Sequence, residues 1–266
     1  MKQQKTILTI LILFASLFVA CEQEVDLKLN ETAPKVVIEG WVTDAPGPYE
    51  FKVTRSGAYL GNAAEDLVSG AQLILKDDMG TVDTLIENRP GWYQTTHIQG
   101  QMMHNYFIEV TVEGEVYKAS NYLPRINDIL TTGSEYNDTI VFGAGYYIGL
   151  LAPEPPGIGD FYQFRFWRND SLFNDIADLL VTDDRFVDGQ LSPFLYPYPN
   201  ELGDTIVVEV RSLSQTSYDF YVTLFQQGSG GGPFGTLPDN LSTNFDNGAF
   251  GWFGAAGSVS YTHLRA

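Results

Sequence analysis

Hydrophobic positions fall in two regimes along the chain. The first is continuous: Lys2 and Lys5 precede Ile7 to Ala20, a run interrupted only by Thr9 and Ser16. A short basic end followed by an apolar core of that length has the form of a secretory signal peptide, and it is short for a membrane-spanning helix. The second regime has a period of two. In Lys35–Thr43, Val37, Glu39, Trp41 and Thr43 share one face, and Val36, Ile38 and Val42 the other. Tyr49 to Arg55 alternates again, with Tyr49, Phe51 and Val53 together. Further strands are predicted at Ala71–Lys76, Thr81–Glu87, Trp92–Tyr93, Tyr106–Val112 and Glu115–Ala119. Turn chemistry separates them at Asp44–Pro48, Asp77–Gly80, Asn88–Gly91 and Glu113–Gly114. Short strands at this spacing predict an antiparallel sandwich of immunoglobulin or transthyretin type. Tyr106, at the head of its strand, reads either as a tyrosine-corner residue or as one more core ring.

Leu123-Pro124-Arg125 is the expected boundary, because proline stops the preceding ladder. Beyond it, strands are predicted at Ile126–Thr132, Thr139–Gly143, Tyr146–Leu151, Phe161–Trp167, Thr205–Val210 and Phe250–Gly254, with a stiff loop at Ala152–Gly157. One stretch has helical periodicity: in Gln215–Gln227, Tyr218, Tyr221, Val222 and Phe225 recur at i, i+3, i+4 and i+7. Ser214 is placed to cap it and Gly228 to end it. The expected layout is a signal peptide over residues 1–20, a tether over 21–34, a first β-sandwich over 35–122, and a second β-rich domain over 123–258 carrying the helix. The fold class is thus mainly β, with two β-sandwich domains and one amphipathic helix in the second.

Charge and cysteine content narrow the location. Acidic residues outnumber basic ones 33 to 15, for a net charge of −18, which argues against nucleic acid and anionic lipid headgroups as partners. Cys21 is the sole cysteine and stands where the apolar run stops, so it forms no disulfide within the chain. Leu17-Phe18-Val19-Ala20-Cys21 resembles a bacterial lipobox, with Phe18 where leucine is more usual, and marks Cys21 for lipidation. Glu22, Glu24 and Asp26 follow at once and resemble the surface-export signal of Bacteroidota lipoproteins; the plainer reading is an acidic tether that keeps the anchor solvated. The expected location is the outer membrane, lipid-anchored and facing outward, with the periplasmic leaflet as the alternative.

Candidate chemistry is sparse. His97, His104 and His263 have no second histidine or cysteine at metal-ligand spacing, and there is no G-x-S-x-G elbow or phosphate loop, so no metal, cofactor or catalytic residue is expected. Asp183, Asp184 and Asp188 form a carboxylate cluster that reads either as a calcium loop or as a turn whose aspartates satisfy backbone donors. The aromatic-proline stretch Phe194-Leu195-Tyr196-Pro197-Tyr198-Pro199 offers Phe194, Tyr196 and Tyr198 as contacts for a ligand or partner, or as rings covering the end of a sandwich. Thr84, Thr139, Ser171 and Thr205 each follow an aspartate and precede an aliphatic residue, a pattern resembling a bacterial O-glycosylation motif and equally at home where turns enter strands.

Four stretches carry a family resemblance. Val37-Ile38-Glu39-Gly40-Trp41-Val42-Thr43, Val181 to Gln190, Tyr218-Asp219-Phe220-Tyr221, and Asn247 to Gly254 are similar, in order, to the Bacteroidota lipoprotein family known as domain of unknown function 4249. The resemblance implies a cell-envelope lipoprotein, often encoded beside a TonB-dependent outer-membrane receptor, with no assigned activity or agreed site. Residues 259–266 depart from the family's apolar last strand and resemble translated adapter sequence, so a non-native tail is expected there. The function expected on these grounds is a non-enzymatic binding or accessory lipoprotein, with a TonB-dependent transporter as candidate partner. The alternatives are a structural or adhesive surface module, and an envelope enzyme acting on glycan or peptide.

Overall fold

Two sandwiches share one chain, and each grows from the alternation described above. The computed structural model describes residues 33–57, 65–228 and 241–264. The signal, the lipobox and the export residues lie outside them. Strands β1 (Val36–Thr43), β2 (Glu50–Arg55), β3 (Asp66–Leu67), β6 (Ile86–Arg89) and β7 (Trp92–Gln94) build one sheet of the first sandwich. Strands β4 (Gln72–Asp77), β5 (Val82–Thr84), β8 (His104–Val112) and β9 (Glu115–Leu123) build the facing sheet in the order β5-β4-β8-β9. The predicted inward residues Val36, Ile38, Val42, Phe51 and Val53 meet Leu73, Leu75, Ile108 and Val110 in one core.

The predicted strand Thr81–Glu87 is in fact two. β5 pairs with β4, while β6 pairs with β7 in the other sheet, so the chain crosses between sheets at Leu85, whose amide donates to the Leu73 carbonyl at 3.0 Å. Tyrosine hydroxyls tie the ends of this sandwich. The Gln101 amide donates to the Tyr106 hydroxyl oxygen at 2.6 Å, five residues upstream, as in a tyrosine corner, and the Tyr106 ring is fully buried. The Tyr49 hydroxyl lies against the carbonyls of Thr43 and Ala45 and accepts from the Gly100 amide at 3.1 Å.

The second sandwich sets a three-stranded sheet, β10 (Thr131–Asn137), β11 (Gly145–Pro153) and β15 (Leu191–Leu195), against a five-stranded one. The latter contains β12 (Phe161–Arg168), β13 (Ser171–Leu172), β14 (Leu180–Asp183), β16 (Thr205–Leu213) and β18 (Ser258–Leu264). Ile148, Leu150, Phe164, Phe166, Tyr196, Ile206 and Val208 form its core. Two expectations fail here. Ile126–Thr132 forms no strand before Thr131; Ile126 and Ile129 instead drop their side chains onto the second core, and the Asn127 side chain donates to the Pro153 carbonyl at 3.0 Å. Thr139–Gly143 is a turn, because the Asn137 side-chain oxygen takes the amides of Thr139 and Ile140 and competes with any ladder.

The boundary at residue 123 separates the two cores but not the chain. β17 (Phe250–Ala256) returns to the first sandwich and pairs in parallel with β1, Val37 opposite Phe250 through Thr43 opposite Ala256. Phe253 and Ala255 are buried in the first core, so residues 35–122 alone leave it incomplete. Directly afterwards, Ser258–Leu264 runs antiparallel to β16, Ser258 bonds Glu209 and Asp44, and Val259 packs on the second core. The segment expected to be a foreign tail therefore occupies an edge-strand position.

Helix α1 (Gln215–Gly228) lies across both sandwiches. Ser214 caps it, accepting from the Ser217 amide at 3.2 Å. Its stripe differs from the predicted one. Tyr221 stacks on Trp41 of β1 and Tyr218 on Phe161 of β12, as expected of inward rings. Phe220 joins them by stacking on Trp252 of β17 at 4.5 Å, whereas Phe225 is exposed. The cause is that two different surfaces must be met, so the contact centres on buried Ser217, which receives hydrogen bonds from Asn121 and Trp252. Beneath the helix, Glu209 is clamped between Arg165 at 2.7 Å and Arg211 at 2.9 Å. Burial alone would raise its carboxyl, but Arg211 and its other partners hold it below the usual range.

Two glycines three residues apart, Gly251 in β17 and Gly248 in its approach, separate steric from conformational cost. Gly251 has φ +95 and a Cβ there would strike the Ile38 backbone, whereas Gly248 has φ +74 and open space. Gly251→Ala should cost on the order of 3 kcal/mol or more and Gly248→Ala about 1 kcal/mol. Urea unfolding of the two variants tests this; equal midpoints would show that the β1–β17 approach is not close.

Candidate functional site

The space between the two sheets of the second sandwich is incompletely filled. A cavity of about 350 Å³ remains there. β11 contributes Leu150, Ala152 and Pro153; β12 contributes Tyr162 and Phe164; β14 contributes Leu180, Val181, Thr182 and Asp183. Ile126 and Ile129, from the segment that failed to become a strand, line it together with Phe194 of β15 and Val210 of β16. Phe194 is held in place by stacking on Phe164 at 4.1 Å. Phe186 and Val187 complete the lining, and Phe186 is 88% exposed, a large ring standing in water at the cavity's edge. An apolar pocket of this size with few polar groups is the usual form of a small-molecule site.

Its polar wall is Glu154 with Tyr162. Glu154 is 9% exposed and accepts from the Tyr162 hydroxyl at 2.8 Å. Burial pushes the Glu154 carboxyl up, and burial together with the neighbouring carboxylate pushes the Tyr162 hydroxyl up. Behind Glu154 lie Asp160 and Asp184, the three offering oxygens within 4.8 Å of one another. Such a group resembles part of a calcium site. Two of the three are spent internally, however: Asp160 receives Arg125 at 2.8 Å, and Asp184 receives the amides of Gly159 at 2.9 Å and Asp160 at 3.2 Å.

The sequence candidates are thereby redistributed. Asp183, Asp184 and Asp188 do not converge on a common point. Asp183 pairs with Arg185 at 2.8 Å, which holds its carboxyl below the usual range, and Asp188 accepts from the Gly157 amide at 2.6 Å. Asp183 satisfies donors within the stretch, whereas Asp184 and Asp188 satisfy backbone amides of the loop at residues 157–160. Within the aromatic-proline stretch, Phe194 lines the cavity, whereas Tyr196 is 1% exposed and packs on Phe166 at 4.4 Å; Tyr198 packs edge-on against Tyr196. Tyr196 is thus core rather than contact surface. The structure brings the aspartate stretch and the aromatic-proline stretch to one cavity, but through Val181, Phe186, Val187 and Phe194 rather than through their carboxylates and tyrosines.

Glu154, Tyr162 and Phe164 escaped the sequence reading. Glu154 sits inside Ala152-Pro153-Glu154-Pro155-Pro156, where a lone carboxylate between prolines at a strand end was the available signal. Of the motif hydroxyls, Thr84, Thr139 and Ser171 are exposed and Thr205 is half-buried. Asp83, beside Thr84, is fully buried and takes the amides of Thr96, His97 and Ile98, each at 2.9 Å. His97 lies 3.5 Å from Asp83 and His104 lies 2.7 Å from Asp78.

Comparison with known proteins follows the same lines. The family described as Domain of unknown function (DUF4249) matches residues 22–262, and the chain belongs to it. No curated protein matches the chain. Among solved structures, the chain is similar to the Yersinia pseudotuberculosis adhesin InvE at 14% identity and a TM-score of 0.23. That alignment covers 66% of this chain and 55% of the adhesin, so the chain spans about half the length of the structure it matches.

Asp83 yields a pH dependence. Burial would raise its carboxyl, but the hydrogen bonds from His97, Thr96 and Ile98 win and lower it to about 2. A depressed folded value stabilises the protein above the unfolded pKa, and the contribution is lost as pH falls through the folded one. Asp83 should therefore add about 2 kcal/mol at neutral pH, fading between roughly pH 4 and pH 2. Urea unfolding as a function of pH measures this, and Asp83→Asn should flatten the acid limb. An unchanged limb in that variant would assign the loss elsewhere.

Proposed function

We propose that this member of the DUF4249 family is a lipid-anchored binding module of the outer membrane, non-enzymatic, that holds a small apolar ligand in the cavity of its second sandwich and works beside a TonB-dependent receptor. The observation that carries this reading is the cavity, mostly apolar and lined on its polar side by Glu154 and Tyr162 as a hydrogen-bonded pair. Tyr162 donates a hydrogen bond to Glu154, and burial holds that hydroxyl in its neutral form, a poor starting point for a nucleophile or base. Such a pair orients a bound molecule rather than attacking it.

The anchoring part rests on Cys21 and on Glu22, Glu24 and Asp26. Acyl chains contribute about 0.8 kcal/mol per buried methylene, so a multiply acylated cysteine suffices to hold the protein on a membrane that its acidic surface would otherwise avoid. A surface location would bring the cavity within reach of a receptor that imports what it holds.

Two measurements test the reading. In cells, Cys21→Ser should move the protein out of the membrane fraction, and crosslinking of the wild type should recover an outer-membrane receptor together with loss of the protein on surface proteolysis. Protection from protease would place it on the periplasmic leaflet; lost adhesion with normal uptake in a deletion strain would favour an adhesive module. In solution, the neutral fluorophore N-phenyl-1-naphthylamine should bind saturably, and Ala152→Phe, which fills the cavity from β11, should abolish that signal while leaving the circular dichroism spectrum unchanged. Undiminished binding by that variant would remove the cavity from the proposal.

A further inference from the structure

The cavity wall carries a charge imbalance that points to what it holds. Glu154 is 9% exposed, and the hydrogen-bond partner of its side-chain carboxylate among the described residues is a neutral hydroxyl, that of Tyr162. A carboxylate offers two oxygens with about four acceptor positions, so most of its capacity is unused. The carboxylates beside it deepen the deficit. Glu154, Asp160 and Asp184 lie within 4.8 Å of one another, and Arg125 answers Asp160 alone, at 2.8 Å. The other cavity-lining carboxylate, Asp183, is already neutralised by Arg185 at 2.8 Å. Polar lining groups close by are also occupied: Asn127 donates to the Pro153 carbonyl at 3.0 Å and Thr182 to the Asp183 carbonyl at 3.2 Å. What the wall lacks is a cationic donor at Glu154.

We propose that the cavity takes an apolar primary amine, its hydrocarbon body among Leu150, Phe164, Leu180 and Phe194 and its ammonium on the carboxylate of Glu154. This inference rests on the cavity being a ligand site, as set out above. A charge-assisted hydrogen bond from an ammonium to a carboxylate is roughly twice as strong as a neutral one, and it gains further in a site of low dielectric. An anionic ligand would instead be repelled by Glu154 with Asp160 and Asp184 behind it, and a neutral alcohol would leave the charge deficit standing. Burial raises the Glu154 carboxyl because its own surroundings supply too little positive charge, a gap that the ligand fills. The volume of about 350 Å³ lies toward the small end of ligand sites, which run from roughly 300 to 1,000 Å³, and so suits one medium chain or one ring rather than a full lipid.

The test is calorimetric titration of the full chain with octylamine, octanol and octanoate, three probes with the same chain and different heads. Octylamine should bind about tenfold more tightly than octanol, the scale of one charge-assisted hydrogen bond, with octanoate weakest. Glu154→Gln should erase the octylamine-over-octanol ratio. Because that variant alters a buried group, Tyr162→Phe serves beside it: it keeps the carboxylate, withdraws the competing donor, and should preserve or raise the ratio. If none of the three probes binds, the cavity reading itself fails. If all bind alike, or octanoate binds best, the cavity is a ligand site but the assignment of Glu154 to an ammonium is wrong.

Discussion

The parallel pairing of Val37–Thr43 with Phe250–Ala256 is the constraint on which the rest of the molecule depends. It brings a strand from the far end of the chain into the first core, where Phe253 lies against Phe51. The approach is close enough that Gly254 sits under Trp41, with no room for a side chain there, and on the other flank of β1 Gly40 sits under the Phe51 ring of β2. Once β17 is fixed, Trp252 and Trp41 present the platform on which Phe220 and Tyr221 of the helix stack. The helix, through Tyr218 and Phe161, then fixes the edge of the second sandwich near Asp183, which lines the cavity. A single backbone contact thus propagates to the cavity through packed aromatic rings.

Local patterns were legible wherever one face of a strand is buried and the other is wet. Val36, Ile38 and Val42, or Phe51 and Val53, announce their burial by alternation alone. The helix was legible from its period and from Ser214 at its start. What alternation does not encode is partnership. Nothing in Thr81–Glu87 says that its two halves belong to different sheets, because Leu85 is apolar in either arrangement. Nothing in Phe250–Gly254 says that its partner is β1, since glycine-aromatic strands look alike wherever they pack. Asn137 shows the other source of error: a side chain that captures two amides turned a plausible strand into a turn.

The site was half legible. The family-matching stretch Val181–Gln190 and the aromatic-proline stretch both drew notice, and both reach the cavity. They drew notice for the wrong groups. Carboxylates and tyrosine hydroxyls are conspicuous in a sequence, but here they are consumed by nearby amides and by the core, as Asp184, Asp188 and Tyr196 show. The cavity is made by apolar residues that are individually ordinary, and by Glu154, whose meaning comes from losing its water rather than from its neighbours in the chain.

The late position of β17 also bears on how such a chain comes into being. Synthesis delivers residues from the amino terminus onward, so β1 emerges long before the strand it must pair with. Until then one edge of the first sheet stands open and its core lacks Phe253 and Ala255. A contact between chain ends is slow to form because a large loop must close first. The parallel strand acts as a latch that is thrown late, so the first sandwich stays open along one edge until β17 has been made.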